Sequence, residues 1–206
     1  MQTKVLSAYT PNAISHTIDV LANGGVVAFP TDTVYGLGAL AFDVDGIDRL
    51  YFIKGRDQAK SIAVLLSKIE ELERLTPEPS EEILRLANRF WPGPLTMVVE
   101  RSPDMPESLS SSTTTIGLRI PDHPVALDLL NASGPMAVTS ANLSGEDNAS
   151  TAEEVLKQLD GRIHLVLDGG RTPGGVPSTV VDLTTSELKV LREGPIKEKD
   201  MQLRTA

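Results

Sequence analysis

Five groups of residues in this 206-residue chain could act together on a charged substrate. Lys54, Arg56 and Lys60 form the first, and Thr113, Thr114, Thr115 and Arg119 the second. Ser140 and Asn142 are the third, Ser178 and Thr179 the fourth, and Arg192 the fifth. Each falls where an expected strand or helix hands over to a loop, the usual place for a site. Arginine offers a planar fork to phosphate or carboxylate, lysine a point charge, and Ser, Thr and Asn fix orientation. Taken singly, each group reads as ordinary exposed charge or loop polarity. Taken together, they suit a cleft for a polyanion. With no strong base or nucleophile beside them, such a cleft would work by positioning and charge stabilisation, as nucleotidyl transfer does.

Other chemistries drop out. There is no Gly-x-x-x-x-Gly-Lys loop, no Gly-x-Gly-x-x-Gly, no Gly-x-Ser-x-Gly and no His-Glu-x-x-His. The histidines, His16, His123 and His164, stand apart from one another and read as packed or solvated. The chain has no cysteine, so disulfides, zinc-thiolate sites and a thiol nucleophile are excluded. One further stretch has ligand-loop character: Phe29-Pro30-Thr31-Asp32-Thr33-Val34-Tyr35-Gly36-Leu37-Gly38. It follows the apolar run Val26-Val27-Ala28 and carries hydroxyls, a carboxylate and a phenol, with Gly36 and Gly38 placed to let backbone approach a ligand. A ligand loop and a plain strand exit both remain open on composition.

The elements that must position these groups alternate along the chain. A helix is expected from Thr10-Pro11 through Leu21, with proline in its first turn. Further helices are expected at 45–53, 79–90 and 124–130, and two more open at capping boxes, Ser67-Lys68-Ile69-Glu70 and Ser150-Thr151-Ala152-Glu153. Strands are expected at 26–29, 61–66, 95–99, 115–120, 136–139, 164–167, 179–183 and 188–191. The Ser- and Thr-rich stretch 101–114 is expected to be a mobile loop, and the tail after Gly194 is left without an element. With 40% hydrophobic and 23% charged residues and no long linker, one α/β domain over residues 1–206 with a large mixed, twisted sheet is the economical reading. No apolar run approaches a membrane span and no signal peptide is evident, so a soluble cytoplasmic protein is expected. A net charge of -9 argues against indiscriminate nucleic-acid binding, but allows a local basic cleft.

Pro30-Thr31-Asp32-Thr33-Val34-Tyr35-Gly36-Leu37-Gly38 resembles the signature loop of the YrdC-like family, the threonylcarbamoyl-adenylate synthases of tRNA modification. Lys54-Gly55-Arg56 and Ser140-Ala141-Asn142 are similar to the family's Lys-x-Arg and Ser-x-Asn. Trp91-Pro92-Gly93-Pro94-Leu95-Thr96, Leu118-Arg119-Ile120-Pro121, Ser178-Thr179-Val180 and Leu191-Arg192-Glu193-Gly194-Pro195 follow in the family's order. The resemblance implies the YrdC-like fold, an open twisted sheet with a basic concave face. It implies that L-threonine, bicarbonate or carbon dioxide, and ATP give threonylcarbamoyl-AMP and pyrophosphate, with Mg2+ accompanying ATP. A separate threonylcarbamoyltransferase complex would then use the product on tRNA. It also implies that Thr33, Arg119, Val138 (through backbone) and Ser178 hold threonine. Arg56, Lys60, Thr115, Ser140, Asn142, Asn148 and Arg192 would hold ATP, and Lys54 and Arg56 would act in catalysis. As exposed cleft cations, Lys54 and Arg56 would be removable without cost to the fold.

Asp57 after Arg56, Leu65 and Asn148 depart from the pattern. The chain resembles the short form, without the extra C-terminal domain of longer members, so a lid would have to come from residues 169–175 or the N-terminus. Three alternatives stay open: a binding module for tRNA or double-stranded RNA, a paralogue with another acyl acceptor, and a hydrogenase-maturation-type carbamoyl-transfer domain. The lack of cysteine speaks against the last.

Overall fold

The computed structural model describes residues 2–110, 113–185 and 187–202. In chain order the elements are β1 (Lys4–Ser7), α1 (Ala13–Ala22), β2 (Val27–Phe29), β3 (Gly36–Leu40), α2 (Val44–Lys54), β4 (Ala63–Leu65), α3 (Leu72–Leu75) and α4 (Glu81–Phe90). Then follow β5 (Leu95–Glu100), β6 (Thr115–Arg119), α5 (Pro124–Ser133), β7 (Met136–Ser140), α6 (Ala152–Leu159), β8 (Leu165–Asp168), β9 (Thr179–Asp182), β10 (Lys189–Arg192) and α7 (Glu198–Gln202). Among the described residues the strands make one mixed ten-stranded sheet in the order β1-β8-β2-β3-β7-β4-β6-β5-β9-β10. The expected α/β class and mixed sheet are therefore what the chain forms.

Strand side chains alternate between faces, and that alternation sets the layers. On β6, Ile116 and Leu118 are fully buried in the main core, while Thr115, Gly117 and Arg119 point the other way. On β5, Leu95, Met97 and Val99 enter the same core, and Thr96 and Val98 share the face of Gly117, which lies opposite Val98. Helices α2, α4 and α6 cover the main core with Ile47, Leu50, Ile83, Leu86, Val155 and Leu159. Helices α1 and α5 cover the second face only over one half of the sheet, packing Leu21, Leu129 and Leu130 on Val27, Phe29, Met136 and Leu165. Over β4, β6, β5 and β9 the second face is open, and a cleft lies on it.

Several sequence expectations are corrected. Gly36 and Gly38 lie in β3, not in the loop, which is confined to residues 30–35. A Cβ on Gly36 would lie 2.8 Å from Val138 Cγ1, and one on Gly38 2.9 Å from Met136 Cε, so glycine admits the β7 side chains. Helix α1 begins at Ala13 because Asn12 takes a left-handed φ of 64°, which turns Pro11 out of the first turn. The two capping boxes close on the acid one residue later than expected. Glu154 accepts from Ser150 N at 2.7 Å while its own N–H donates to Thr151 Oγ1, and Glu71 accepts from Ser67 N at 2.8 Å. In each case the N-cap is one residue further on, which moves the third helical position with it.

The segment after β5 is packed rather than loose. Met105 and Leu109 are buried, and Leu109 O accepts from Ile62 N at 2.9 Å. Ser111 and Ser112 lie outside the described residues, as does the end of the tail. The described tail forms α7, with Met201 buried and its carbonyl accepting from Arg85 at 2.7 Å.

The face assignment predicts unequal costs on neighbouring residues. Ile116→Ala should lower unfolding free energy by about 2–5 kcal/mol, and Thr115→Ala by about 0.5 kcal/mol or less. Urea denaturation of both variants measures this, and equal losses would contradict the alternation.

Candidate active site

The cleft has a volume of about 420 Å³, a size that suits a small-molecule site. Its floor is the open sheet face, with Thr96, Val98, Thr115, Gly117 and Arg119, and its rim includes Thr33, Arg56, Asn148, Ser178 and Arg192. Arg119 is the hub. It is 6% exposed, and its Nε donates to Gly93 O at 3.0 Å. Its Nη1 donates to Thr33 Oγ1 at 3.1 Å, and its Nη2 is ion-paired with Asp32 Oδ1. Asp32 Oδ1 also accepts from Asp122 N at 3.1 Å. The Trp91–Pro94 turn and the signature loop thus meet on one guanidinium.

Arg56 and Arg192 reach the same cleft from other elements. Arg56 follows α2, whose end is turned by Gly55 at a φ of 58°. Its Nε donates to Lys60 O at 3.1 Å and its Nη2 to Ser61 O at 2.9 Å. Arg192 Nε donates to Ser178 O and its Nη2 to Ser178 Oγ, each at 3.0 Å. Arg192 owes its direction to a β-bulge. Val190 pairs with Val181 and Arg192 with Val180, leaving Leu191 as the extra residue, so Leu191 and Arg192 both line the cleft. Burial lowers the pKa of all three arginines; Arg192 is lowered further by Arg56 and Arg119 by Arg192, while Asp32 raises Arg119. Unlike charges are scarce among these groups, so an anion placed between them would relieve repulsion.

Lys54 is not a cleft cation. It is 3% exposed, and its Nζ donates to Ser140 O, to Asn142 O at 2.6 Å and to Asn142 Oδ1 at 3.4 Å. Burial, and then Arg56, lowers its pKa to about 7. The three oxygens around it can only accept, which suits the charged ammonium. Asn142 is equally committed: its Nδ2 donates to Leu143 O at 2.9 Å and to Glu146 O at 2.7 Å, and it does not line the cleft. The two motifs Lys54-Gly55-Arg56 and Ser140-Ala141-Asn142 are joined from beneath the cleft wall. Lys54 is therefore buried and bonded, not the exposed cleft cation expected, and its removal should cost stability.

The other expected residues divide. Ser140, Thr115 and Asn148 line the cleft, whereas the exposed Lys60 meets it only through its carbonyl's hold on Arg56. Val138 presents its side chain, because its backbone lies between β3 and β4 inside the sheet. Leu65 lines the cleft, and the Asp57 carboxylate caps its own turn by accepting from Ala59 N at 2.9 Å. None of the three histidines lines the cleft; His164 Nδ1 accepts from Val26 N at 3.0 Å.

Residues missed in the sequence include Thr96, whose Oγ1 lies 2.8 Å from Ser178 Oγ, and the bulged Leu191. Residues 169–175, the expected lid, are tied to the signature loop. Gly175 N donates to Thr33 O at 2.7 Å and Tyr35 Oη to Gly170 O at 2.7 Å. A Cβ on Gly174 would lie 2.5 Å from Asp32 O, so the two chains touch along their backbones. Burial and Asp168 push the Tyr35 phenol up, which keeps it a donor.

The family model covering Sua5, YciO and YrdC proteins, with the description "Telomere recombination", matches residues 19–194. A threonylcarbamoyl-AMP synthase of Pyrococcus abyssi is 41% identical over 181 residues, covering 86% of this chain and 53% of its own length. One from Bacillus subtilis is 41% identical over 202 residues, covering 97% of this chain and 58% of its own. The crystal structure of P. abyssi Sua5 complexed with L-threonine superposes with a TM-score of 0.92 at 36% identity, over 98% of this chain and 60% of that one. The chain thus spans little more than half the length of these relatives.

Lys54 and Arg56 separate experimentally. Lys54→Ala orphans buried acceptors and should cost about 3 kcal/mol of unfolding free energy. Arg56→Ala, at the half-open rim, should cost about 1 kcal/mol or less. Equal stability losses in denaturant titrations would contradict this division.

Proposed function

The chain belongs to the Sua5/YciO/YrdC family, and we propose that it makes L-threonylcarbamoyl-AMP from L-threonine, bicarbonate or carbon dioxide, and ATP, releasing pyrophosphate. The observation that carries this reading is the convergence of Arg56, Arg119 and Arg192 on one cleft with no Asp or Glu among its lining residues, the Asp32 carboxylate behind Arg119 being already paired. Such a cleft suits a substrate set that brings a carboxylate and a triphosphate together.

The chemistry asks for alignment. The amine of threonine forms an N–C bond to carbon dioxide and loses a proton, giving a carbamate. A carbamate oxygen then bonds to the α-phosphorus of ATP as the bond to the β-phosphate bridge breaks, and pyrophosphate departs with that electron pair. In this reading Thr33, Arg119 and Ser178 hold threonine, against the Val138 side chain. Arg56, Thr115, Ser140, Asn148 and Arg192 hold the nucleotide, with Lys60 at the margin. Arg56 and Arg192 oppose the charge growing on the phosphoryl oxygens, the preorganised stabilisation that carries much of such catalysis. Lys54 acts through Ser140 and Asn142, as the brace of that wall.

Among the described residues no group of three or more His, Cys, Asp or Glu could hold a metal. Magnesium would therefore come with ATP, bound by the phosphates, and would supply charge neutralisation there. Among the described residues no helix is long and apolar enough to cross a membrane. A cytoplasmic setting fits substrates of this kind, and the product would pass to a transferase complex that acts on tRNA.

The test is pyrophosphate release from ATP by the purified chain, with each other substrate omitted in turn. Release should require both L-threonine and bicarbonate. Release with neither, or with bicarbonate alone, would point to a paralogue with another acceptor and overturn the proposal.

A further inference from the structure

The hydrogens of the Thr31–Thr33 pair can be placed by elimination. Thr31 Oγ1 lies 2.7 Å from Val34 O, a carbonyl that only accepts, so the single Thr31 proton points there. The Thr33 backbone N–H donates to Thr31 Oγ1 at 3.2 Å. The 3.0 Å contact between the two hydroxyls must then run from Thr33 to Thr31. That uses both lone pairs and the proton of Thr31.

The consequence falls on Thr33. Its proton is committed to Thr31, and one of its lone pairs takes the Arg119 Nη1 proton at 3.1 Å. One lone pair remains, on a residue that lines the cleft. Toward a ligand Thr33 can therefore accept and cannot donate. A carboxylate, which also only accepts, would be repelled from it and directed to the guanidinium of Arg119. An N–H would be drawn to it.

We propose that Thr31 is a positioning residue that fixes Thr33 as a hydrogen-bond acceptor, and that Thr33 reads the N–H of the amino-acid substrate rather than its carboxylate. The proposal rests on the amino-acid reading of the cleft given above. The same acceptor serves the ammonium of the free amino acid and the N–H that survives in its carbamate. The subsite thus selects small molecules in which an N–H donor and a carboxylate sit on one carbon.

Calorimetric titration of the full chain tests this with two ligands, L-threonine and 3-hydroxybutyrate, which keeps the carboxylate, hydroxyl and methyl and lacks the amine. The wild type should favour L-threonine by about tenfold or more, the scale of one hydrogen bond to a charged group. Thr31→Val frees the Thr33 hydroxyl to rotate and should cut that preference about tenfold, with ATP affinity unchanged. Thr31→Ser should restore it. Should Thr31→Val fail to fold, Thr33→Val supplies the reading: it should weaken L-threonine about tenfold and leave 3-hydroxybutyrate unchanged. An unaltered preference in Thr31→Val, or equal weakening of both ligands in Thr33→Val, would overturn the inference alone. A wild type that binds no L-threonine would overturn the amino-acid reading beneath it, and this proposal with it.

Discussion

A strand shows alternate side chains to opposite faces, and in this sheet only one half has both faces covered by helices. Everything about the cleft depends on that mismatch. Where α1 and α5 end their cover, the second set of residues on β5 and β6 has no core to enter. The same pentapeptide, Thr115-Ile116-Gly117-Leu118-Arg119, sends Ile116 and Leu118 into the interior and gives Thr115, Gly117 and Arg119 to the site. A shift of β6 by one residue would exchange the two sets, so the core that fixes the register also aims the site.

The charges on that open face come from distant parts of the chain and are held by backbone as much as by side chains. Arg119 is fixed by Gly93 O, Arg56 by the carbonyls of Lys60 and Ser61, and Arg192 by Ser178 O. Among the described residues no ion pair holds Arg56 or Arg192, and Arg119 has Asp32 alone. Like charges gathered on one face repel one another, and a polyanion placed between them would relieve that repulsion. In a chain of net charge -9 this concentration of positive charge is local and belongs to the site. Lys54 serves it indirectly. Its ammonium gathers oxygens of Ser140 and Asn142 under the wall, so the cation lends rigidity instead of field.

Much of this was legible from the residues. The apolar runs of β2, β5, β6 and β7 announced strands, and of the five separated groups of cations and hydroxyls the structure brings at least one member each to a single cleft. What was hidden has physical causes. The strand β3 is written Gly-Leu-Gly-Ala-Leu, and its glycines imitate a loop although they exist to admit Val138 and Met136. The edge strand β1 has mostly exposed side chains and so no apolar pattern to show. Whether a lysine faces a cleft or is buried under it depends on carbonyls nearly ninety residues away, and nothing near Lys54 in sequence reports them. The bulge at Leu191 adds a residue without any glycine to mark it. The role of Asp32 as partner to Arg119 needed the tertiary contact, since both residues otherwise read as independent ligand groups.

In the function proposed for it, this one cleft joins three small molecules into one adenylate. The most direct measurement is mass spectrometry of the nucleotide products after incubating the chain with ATP, L-threonine, magnesium and carbon-13 bicarbonate. An adenylate that contains both threonine and the labelled carbon is expected, and it should be absent when Arg56 is replaced by alanine in a folded variant. ATP consumed to AMP or ADP alone, with no labelled adenylate at any time, would contradict it.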